Sequence, residues 1–401
     1  MSINAALVAV ISLVVLGCVV SPGVAKDVKW KIGEPIVTYW AGPATFMELD
    51  DRAAEQIVAG GWNLGWARNV EDLDTYYRHG IRGMLVVNVP DLNDPAQAKA
   101  LDEKIKQVKN HPAMYAYHIT DEPNASVFPM LGKLVAYIKK RDPAHLSYIN
   151  LLPTYANNDQ LGNKGDVTEA YREHLSQFVK IVKPELLSYD HYHFNKDGDG
   201  DQYFLNLALM REAAVKARIP FMNIIQVMEC PCGWRAPTEH EVRWLTYTTL
   251  AYGGQGISHF RYDAGFWKDA ATPTPLYWPV SRINRDFLAI AKELQPLKSI
   301  GVYHCGTIPK GGLPLPERGV FTLENPSQNV LLGYFGKNVS HPTHVLVVNL
   351  DYKNAVDTVL VGPDEIEVFN SSTRLWSAVS ADRRVKLNLL PGEGALVRVN
   401  G

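Results

Sequence analysis

The stretch that decides the fold is Tyr115-Ala-Tyr-His-Ile-Thr-Asp-Glu-Pro-Asn124, an aromatic-rich β-type run that ends in two adjacent acids and a proline. Proline keeps the residue before it out of helical geometry, so Glu122 is predicted at the C-terminal end of a strand. A carboxylate in that position suits acid/base chemistry on a bound ligand. The simpler interpretation of Asp121-Glu122-Pro123 alone is a surface turn, so the rest of the sequence decides between the two.

The unit that contains this strand recurs from about residue 36 to residue 297, as an apolar β-rich run, a loop and then a helical segment. The eight predicted strands are 36–41, 62–67, 83–89, 114–120, 146–152, 186–192, 219–227 and 256–262. Near-continuous apolar strands that alternate with helices are typical of a parallel sheet buried on both faces. Eight such units predict a closed (β/α)8 TIM barrel. An open doubly wound sheet is the alternative, but the first strand has no glycine-rich phosphate loop after it.

The intervening helices also leave a pattern in the sequence. Apolar residues at helical spacing form two stripes: Leu131, Leu134, Val135 and Ile138, and Ala98, Leu101, Ile105 and Val108. Thr238 followed by Glu241 predicts a capping box that opens a helix running towards Tyr252.

The last hundred residues have a different sequence pattern, in which short β-type segments are separated by the turn residues Asn, Gly, Pro and Asp. The predicted strands are 320–323, 330–335, 344–350, 356–361, 366–369, 385–389 and 395–399. Closely spaced strands with turn signals predict a small all-β sandwich. We place the barrel at 26–297 and the β-sandwich domain at 298–401, with 301–319 as an irregular connector.

The N-terminus carries an apolar run from Ala5 to Val20, and the first charge after it is Lys26. This run is shorter than a membrane-spanning helix, and small residues follow it. Residues 1–25 are therefore predicted to be a signal peptide that directs export to the periplasm or the extracellular space. Val15-Leu16-Gly17-Cys18 also resembles a bacterial lipoprotein box, in which case Cys18 would carry a lipid anchor to the membrane.

Composition limits the partners of the protein. The chain is 46% hydrophobic and 20% charged, with a formal net charge of −2 and no block of like charges. These values give no sign of a nucleic-acid partner or an anionic membrane surface, and no protein partner is implied. Three cysteines remain after export, Cys230, Cys232 and Cys305, so the core and not a disulfide scaffold must stabilise the fold. Cys230 and Cys232 are predicted to be too close for easy bridging.

In a TIM barrel the active site lies at the C-terminal ends of the strands. The fourth predicted strand places Asp121 and Glu122 there, and the seventh is followed by Met228 and Glu229. Two glutamates at the ends of strands four and seven would face each other across one pocket. That arrangement meets the two-carboxylate requirement of glycoside hydrolysis.

At these positions the sequence resembles the "four-over-seven" clan of retaining (β/α)8 glycoside hydrolases, clan A, which includes many β-galactosidases. The resemblance covers about residues 30–300 and implies that Glu122 is the acid/base and Glu229 the nucleophile of a double displacement. Asp121 stands where the clan commonly has Asn. Retention needs carboxyl groups about 5–5.5 Å apart and inversion about 6.5–9.5 Å, and an inverting pair of Glu122 and Asp190 is the alternative.

The other strand ends are polar and aromatic, as a sugar site requires. The predicted substrate-binding residues are Asp121, Trp40, Tyr39, Asp190, His191, Tyr192, Trp234, Arg261 and Tyr262. Aromatic rings present flat apolar faces that suit the C–H faces of pyranoses, although core packing is the simpler explanation for many of them. Tyr39 and Trp40 are adjacent in a strand, so only one of them can face the barrel interior. Arg261 either clamps an acidic sugar or pairs with an acid such as Asp263.

These observations favour an exported glycoside hydrolase that cleaves a β-linked glycan or oligosaccharide and needs no cofactor and no metal. One alternative is a non-catalytic carbohydrate-binding protein on a degenerate barrel, which gains if Glu229 points into a loop and not towards Glu122. The other is a metal-dependent enzyme, for which Asp190, His191 and His193 are the only close ligand set.

Overall fold

The computed structural model describes residues 29–43, 48–378 and 382–399. The predicted signal peptide (1–25) and Cys18 lie outside these described residues. No helix within the described ranges is both long enough and apolar enough to cross a membrane.

Eight parallel strands form the first part of the fold, which confirms the predicted barrel. They are β1 (Ile36–Trp40), β2 (Leu64–Ala67), β3 (Arg82–Val86), β4 (Met114–Asp121), β5 (Leu146–Leu151), β6 (Leu187–His191), β7 (Phe221–Gln226) and β8 (Gly256–Phe260). Their order is β1-β8-β7-β6-β5-β4-β3-β2, so β1 and β2 are the two strands that meet to close the sheet. All the C-terminal ends therefore point to one end of the barrel.

Helices surround the strands on the outside. They are α1 (Asp51–Ala59), α2 (Val70–Arg78), α3 (Pro95–Val108), α4 (Phe128–Arg141), α5 (Asn158–Leu161), α6 (Val167–Val182), α7 (Tyr203–Ala217), α8 (Glu239–Ala251), α9 (Tyr262–Phe266) and α10 (Tyr277–Leu294). The predicted capping box opens α8, because the Thr238 hydroxyl accepts from the Glu241 N–H and the Glu241 carboxylate accepts from the Thr238 N–H.

The predicted helical stripes lie on the faces that pack against the sheet. Leu131, Leu134, Val135 and Ile138 of α4 are buried, as are Leu101, Ile105 and Val108 of α3. Burying one such side chain stabilises the folded state by about 1.5–3 kcal/mol. Packing, more than helix propensity, therefore holds these helices on the barrel.

The seam between β1 and β2 is joined largely through one side chain. Asn63, just before β2, accepts from the Val37 N–H at 3.0 Å and donates to the Pro35 carbonyl at 2.9 Å. Its own N–H donates to the Val37 carbonyl at 2.9 Å, and the Thr38 hydroxyl donates to the Leu64 carbonyl at 2.8 Å. These bonds satisfy backbone groups that would otherwise be left as sheet edges inside the protein.

We expect Asn63→Ala to lower the free energy of unfolding by about 1–3 kcal/mol, because it leaves the Val37 N–H without its partner and removes one of two donors to the Pro35 carbonyl, the other being Arg82. Chemical denaturation of residues 26–401 measures this. The control is Asn93→Ala, which removes an exposed amide whose bonds are local to the loop. If Asn63→Ala lowers the free energy of unfolding no more than Asn93→Ala does, the hydrogen bonds of Asn63 do not stabilise the junction between β1 and β2.

The C-terminal part is built from antiparallel strands that form two sheets. The strands are β9 (Lys298–His304), β10 (Thr322–Leu323), β11 (Val330–Gly336), β12 (His344–Asn349), β13 (Val356–Val361), β14 (Ile366–Asn370), β15 (Leu375–Ala378), β16 (Arg384–Leu389) and β17 (Gly394–Val399). One sheet has the order β10-β13-β16 and the other β15-β14-β17-β12-β11-β9. The predicted β-sandwich is confirmed.

Two strands of this part were not predicted. The prediction that the irregular connector begins at residue 301 is wrong, because β9 runs to His304 and pairs with β11. Gly301 interrupts its apolar pattern, and the glycines and prolines that follow extend the loop signal back over it. β15 pairs with β14 across a short turn and has four residues, Leu375–Ala378, too few to show a strand period.

The six-stranded sheet is buried on both faces. Leu331, Phe335, Leu346 and Val348 join the core of the barrel helices, whereas Val330, Leu332, Val345 and Val347 join the core shared with the three-stranded sheet. Alternate residues along a strand point to opposite faces, which produces this division. Polar contacts reinforce the junction, including Arg211 Nε to Ser299 Oγ at 2.8 Å and Trp376 Nε1 to Glu293 at 3.2 Å.

Candidate active site

A cavity of about 340 Å³ opens at the C-terminal ends of the barrel strands. Its polar and aromatic lining comes from Trp40, Asp121, Glu122, Asn150, Tyr155, Gln160, Asp190, Tyr192, Trp234 and Phe260. A larger cavity of about 690 Å³ lies between the barrel and the β domain, but no carboxylate is among the described residues that line it. Of these two cavities the smaller is the one lined by carboxylates, and it lies where barrel active sites are found.

The backbone at Glu122 has an uncommon conformation. Its φ is +43°, in the left-handed region that residues other than glycine rarely adopt. The Glu122 N–H donates to the Asn150 carbonyl at 2.9 Å, which continues the pairing of β4 with β5 by one residue before Pro123 ends it. Such a conformation costs about 1–3 kcal/mol and is retained where the surroundings demand it. Here it accompanies the entry of two successive carboxylates, Asp121 and Glu122, into one cavity.

The amide of Asn150 connects the ends of β4, β5 and β6. Its Nδ2 donates to Asp121 Oδ1 at 3.1 Å and to Asp190 Oδ1 at 2.9 Å. Its Oδ1 accepts from Ser188 Oγ at 2.9 Å, and Ser188 lies 2.8 Å from the Tyr148 hydroxyl. Since Asn150 is only 1% exposed, this network fixes the orientation of both aspartates.

The three carboxyl groups perturb one another. Burial, followed by the charge of Glu122, raises the pKa of Asp190 well above its ordinary range, and the Glu122 and Asp190 carboxyls are in hydrogen-bonding contact. The Glu122 side chain is open to the cavity, but desolvation of its carboxyl, followed by the charge of Asp121, raises its pKa. Burial also raises the pKa of Asp121, against the hydrogen bond from Asn150. Glu122 and Asp190 thus form a pair in which one proton is held more tightly than by an isolated acid.

Aromatic rings form the walls of the cavity. The Tyr192 ring lies 4.3 Å from Trp234 and 5.0 Å from Phe260, measured between ring centroids. Tyr155 contacts the same strand end, since its hydroxyl accepts from the Tyr192 N–H at 3.4 Å. Trp40 stands at the end of β1 in edge contact with Trp66. Carboxylates at the base and aromatic faces at the sides are the features that bind a sugar ring.

The structure brings together part of the predicted site. The predicted residues that line the cavity are Trp40, Asp121, Glu122, Asp190, Tyr192 and Trp234. Tyr39 does not line it. Its ring points outward from the sheet, and its hydroxyl lies 3.2 Å from that of Tyr76 on α2. Strand alternation allowed only one of Tyr39 and Trp40 to face inward, and that residue is Trp40.

Three more predicted binding residues lie outside the cavity. His191 follows Asp190 in β6 and points to the opposite face, where its Nδ1 lies 2.9 Å from Asn206 Oδ1 on α7. Tyr262 is 1% exposed and packs on Tyr39, with ring centroids 4.5 Å apart. Arg261 forms a two-bond ion pair with Asp263, as the simpler sequence interpretation held.

Glu229 is not brought to Glu122. It lies past the end of β7, is exposed, and is not among the residues that line the cavity. The second carboxylate beside Glu122 is Asp190, from β6. A lone glutamate after a strand does not reveal how far the chain has already turned into a loop, which is why the sequence did not separate these two acids.

The loop after β7 is closed by a disulfide between Cys230 and Cys232, so the prediction that these cysteines do not bridge is wrong. The turn at Pro231 brings their Cα atoms to 5.0 Å, within the usual range for a disulfide. Cys305 is a buried free thiol. The disulfide lies next to Gly233 and Trp234, and so at the edge of the cavity.

Some functional residues were missed from the sequence. Asn150 lay inside an apolar run that was interpreted only as a buried strand, although a polar residue near a strand end was the available signal. Tyr155 follows β5 in a loop without a motif of its own. Phe260 lies within the predicted strand 256–262 and was not assigned to the site.

The ligand set proposed for a metal-dependent reaction does not converge. His191 points away from Asp190 to Asn206, and His193 stacks on Trp244 with ring centroids 5.1 Å apart. Within the described part of the chain, no group of three or more His, Cys, Asp or Glu side chains is arranged to hold a metal ion.

Comparison with known proteins rests on structure. No family model matches the sequence, and no curated protein matches it. The fold is similar to that of a candidate α-galactosidase from Bacteroides fragilis, with a TM-score of 0.51 and 9% identity over 92% of this chain and 79% of that one. Other similar structures are α-galactosidase I from Mortierella vinacea (TM-score 0.47, 10% identity, 91% and 96% covered) and a glycoside hydrolase family 5 mannosidase from Rhizomucor miehei (0.44, 14%, 67% and 98%). The first similarity spans the barrel and the β domain and shows a shared fold.

We expect Asp190→Asn to change how stability depends on pH. A carboxyl whose pKa is raised in the folded state stabilises the fold below its unfolded pKa, and this contribution is lost as pH rises through the folded pKa. The native protein should therefore lose stability relative to Asp190→Asn as pH rises from about 4, where a free Asp titrates. Unfolding free energies measured from pH 4 to 8 test this. Parallel profiles for the two proteins would contradict the raised pKa of Asp190.

Proposed function

We propose that this protein is a glycoside hydrolase that cleaves a β-linked glycan or oligosaccharide, with Glu122 and Asp190 as its two carboxylates. The observation that carries the proposal is that these two acids, from the ends of β4 and β6 on either side of β5, line one aromatic-walled cavity and interact with each other there. Two carboxyl groups with different surroundings are what glycoside hydrolysis requires. The fold shared with solved glycoside hydrolases is consistent with this activity but does not specify it.

Glu122 is the better placed proton donor. Its carboxyl is open to the cavity. The pair shares one proton, which burial favours on Asp190 in the free protein, so the proposed reaction starts from the state in which Glu122 carries that proton and Asp190 is ionised. In the proposed first step Glu122 gives its proton to the glycosidic oxygen as the bond from that oxygen to the anomeric carbon breaks.

Asp190 is the second carboxylate. It is buried and oriented by Asn150, so it faces the cavity in one fixed position. We propose that Asp190 attacks the anomeric carbon directly, which leads to retention. This requires the Glu122 side chain to turn away from Asp190, so that the two carboxyls stand roughly 5–5.5 Å apart with the sugar between them. Glu122, now a carboxylate, would then activate the water that releases the sugar from Asp190.

Variants of the three acids test these roles. We expect Glu122→Gln and Asp190→Asn each to lower kcat/KM on an aryl β-glycoside by about 100-fold or more, since each removes a group needed in the transition state. Glu229→Gln is the matched control, and we expect it to stay within about threefold of the parent. Circular dichroism and thermal unfolding establish that each variant is folded.

A panel of aryl α- and β-glycosides, with the product anomer followed by NMR, identifies linkage and stereochemistry. Loss of activity in Glu229→Gln with Asp190→Asn unaffected would return the nucleophile role to Glu229. Cleavage of α-glycosides alone would overturn the β-linkage, and initial release of the opposite anomer would overturn retention.

The charge of the site also predicts its substrate. The described residues that line the cavity include three carboxylates and no lysine or arginine, so a negative sugar would meet repulsion without a counter-charge. We expect kcat/KM for a neutral aryl β-glycoside to exceed that for the matching aryl β-glucuronide by about tenfold or more at pH 7. A preference for the uronide at low ionic strength would contradict this.

A second candidate function is sugar binding without hydrolysis, and one observation favours it: Glu229 lies in a loop, away from Glu122. The aromatic walls would serve a binding protein as well as an enzyme. Retention of glycan binding in a protein that cleaves nothing across a broad panel would support this function over hydrolysis.

We further propose that the protein is exported, on the strength of the apolar run Ala5–Val20 and the small residues after it. Cell fractionation with N-terminal sequencing of the mature chain tests this. Cleavage near Ala25 would fit a secreted form, whereas a lipid-modified Cys18 at the new N-terminus would fit a membrane-anchored one.

A further inference from the structure

Arg235, next to the cavity residue Trp234, is the centre of a charged cluster outside the carboxylate site. Its guanidinium donates to both oxygens of Glu241, at 2.9 and 2.6 Å, and to Asp199 Oδ1 at 3.1 Å. It also lies over the Phe194 ring, 4.7 Å from the centroid. Burial opposes ionisation of Glu241, but the hydrogen bonds from Arg235 and from the backbone of Thr238 lower its pKa overall. One arginine thus joins the loop after β6, the loop after β7 and the start of α8.

The backbone on both sides of Trp234 is tied to the loop after β6. The Arg235 N–H donates to the Phe194 carbonyl at 3.2 Å, and Gln226 Nε2 of β7 donates to the Arg235 carbonyl at 2.8 Å. On the other side the Lys196 N–H donates to the Gly233 carbonyl at 2.9 Å. The loop that holds the backbone of Trp234 thus also carries Asp199 of the charged cluster.

The β domain reaches this cluster through Tyr352, in the loop after β12. Its hydroxyl donates a hydrogen bond to Asp199 Oδ2, the oxygen that Arg235 leaves free. Its ring packs edge-on against Phe194 and Trp244, with centroids 5.6 and 5.9 Å apart. Burial, followed by the hydrogen bond to Asp199, raises the pKa of Tyr352, so the hydroxyl stays a donor at neutral pH. Tyr352 does not line the cavity.

We propose that Tyr352 is a positioning residue by which the β domain sets the aromatic wall of the cavity. The hydroxyl holds Asp199, Asp199 and Glu241 hold Arg235, and Arg235 holds the backbone that carries Trp234 against Tyr192. The β domain in this respect helps to shape the binding site, although none of its described residues lines the cavity. Loss of the Tyr352 hydroxyl frees one oxygen of Asp199 and loosens the loop, while the carboxylates on β4 and β6 keep their places.

Tyr352→Phe tests the proposal, because it removes the hydroxyl and keeps the ring packed on Phe194. The matched control is Tyr334→Phe, whose lost hydroxyl bonds the Phe321 backbone within the β domain. We expect KM on the best glycoside to rise about three- to tenfold in Tyr352→Phe while kcat changes by less than about twofold. Arg235→Lys, which cannot hold two acids in the same geometry, should raise KM at least as much. Tyr334→Phe should lower thermal stability and leave KM unchanged.

A second readout does not depend on catalysis. The fluorescence of Trp234 is obtained as the difference between each protein and its Trp234→Phe counterpart, and acrylamide quenching of that difference measures how firmly the ring is packed. We expect the quenching constant to rise in Tyr352→Phe and not in Tyr334→Phe. An unchanged constant in folded Tyr352→Phe, or an equal rise in both variants, overturns the proposal. Absence of hydrolysis in the parent protein would count against the proposed hydrolase function alone. The quenching result would still decide whether Tyr352 positions Trp234.

Discussion

Closure of the barrel between β1 and β2 is the constraint on which the site depends. The two strands meet without a regular ladder, and Asn63 supplies hydrogen bonds that the backbones do not make with each other. Once the sheet is closed, the strand ends converge on one opening, and residues far apart in the sequence become neighbours. Trp40 at the end of β1 and Glu122 after β4, whose strands are five places apart in the sheet order, line the same cavity for this reason.

The closed barrel holds together, at the site, groups and a backbone conformation that are unfavourable for folding. Asp121, Glu122 and Asp190 bring three acids together in partly desolvated surroundings, and Glu122 adopts a backbone conformation that its side chain disfavours. Asn150 offsets part of this cost by donating to two of the acids at once. Features of this kind are disadvantageous to folding and are concentrated at functional sites. Their presence together at one end of the barrel supports the functional interpretation of the cavity.

The barrel and one of the two proposed catalytic acids could be predicted from the sequence. Apolar strand periods, helical stripes and the capping box at Thr238 are local signals, and Pro123 marked where β4 ends, so Glu122 was found. Asp190 was predicted as a substrate-binding residue, and as a catalytic acid only in the alternative inverting pair, because its nearness to Glu122 depends on strand register across β4, β5 and β6. Tyr39 and His191 were predicted in the cavity although strand alternation turns them away from it. The link from Tyr352 to Arg235 joins residues over a hundred positions apart and leaves no local pattern.

The six-stranded sheet, buried on both faces, bears on how this architecture can change over time. A domain whose sheet has one solvent-exposed face can be exchanged between proteins as a unit, because the adjacent domain contributes little to its core. Here Leu331, Phe335, Leu346 and Val348 are shaped to the barrel helices on one side while their neighbours in the chain fill the sandwich on the other. The β domain and the barrel must therefore change together, because a substitution on one side of the shared face has to be accommodated by the side chains on the other.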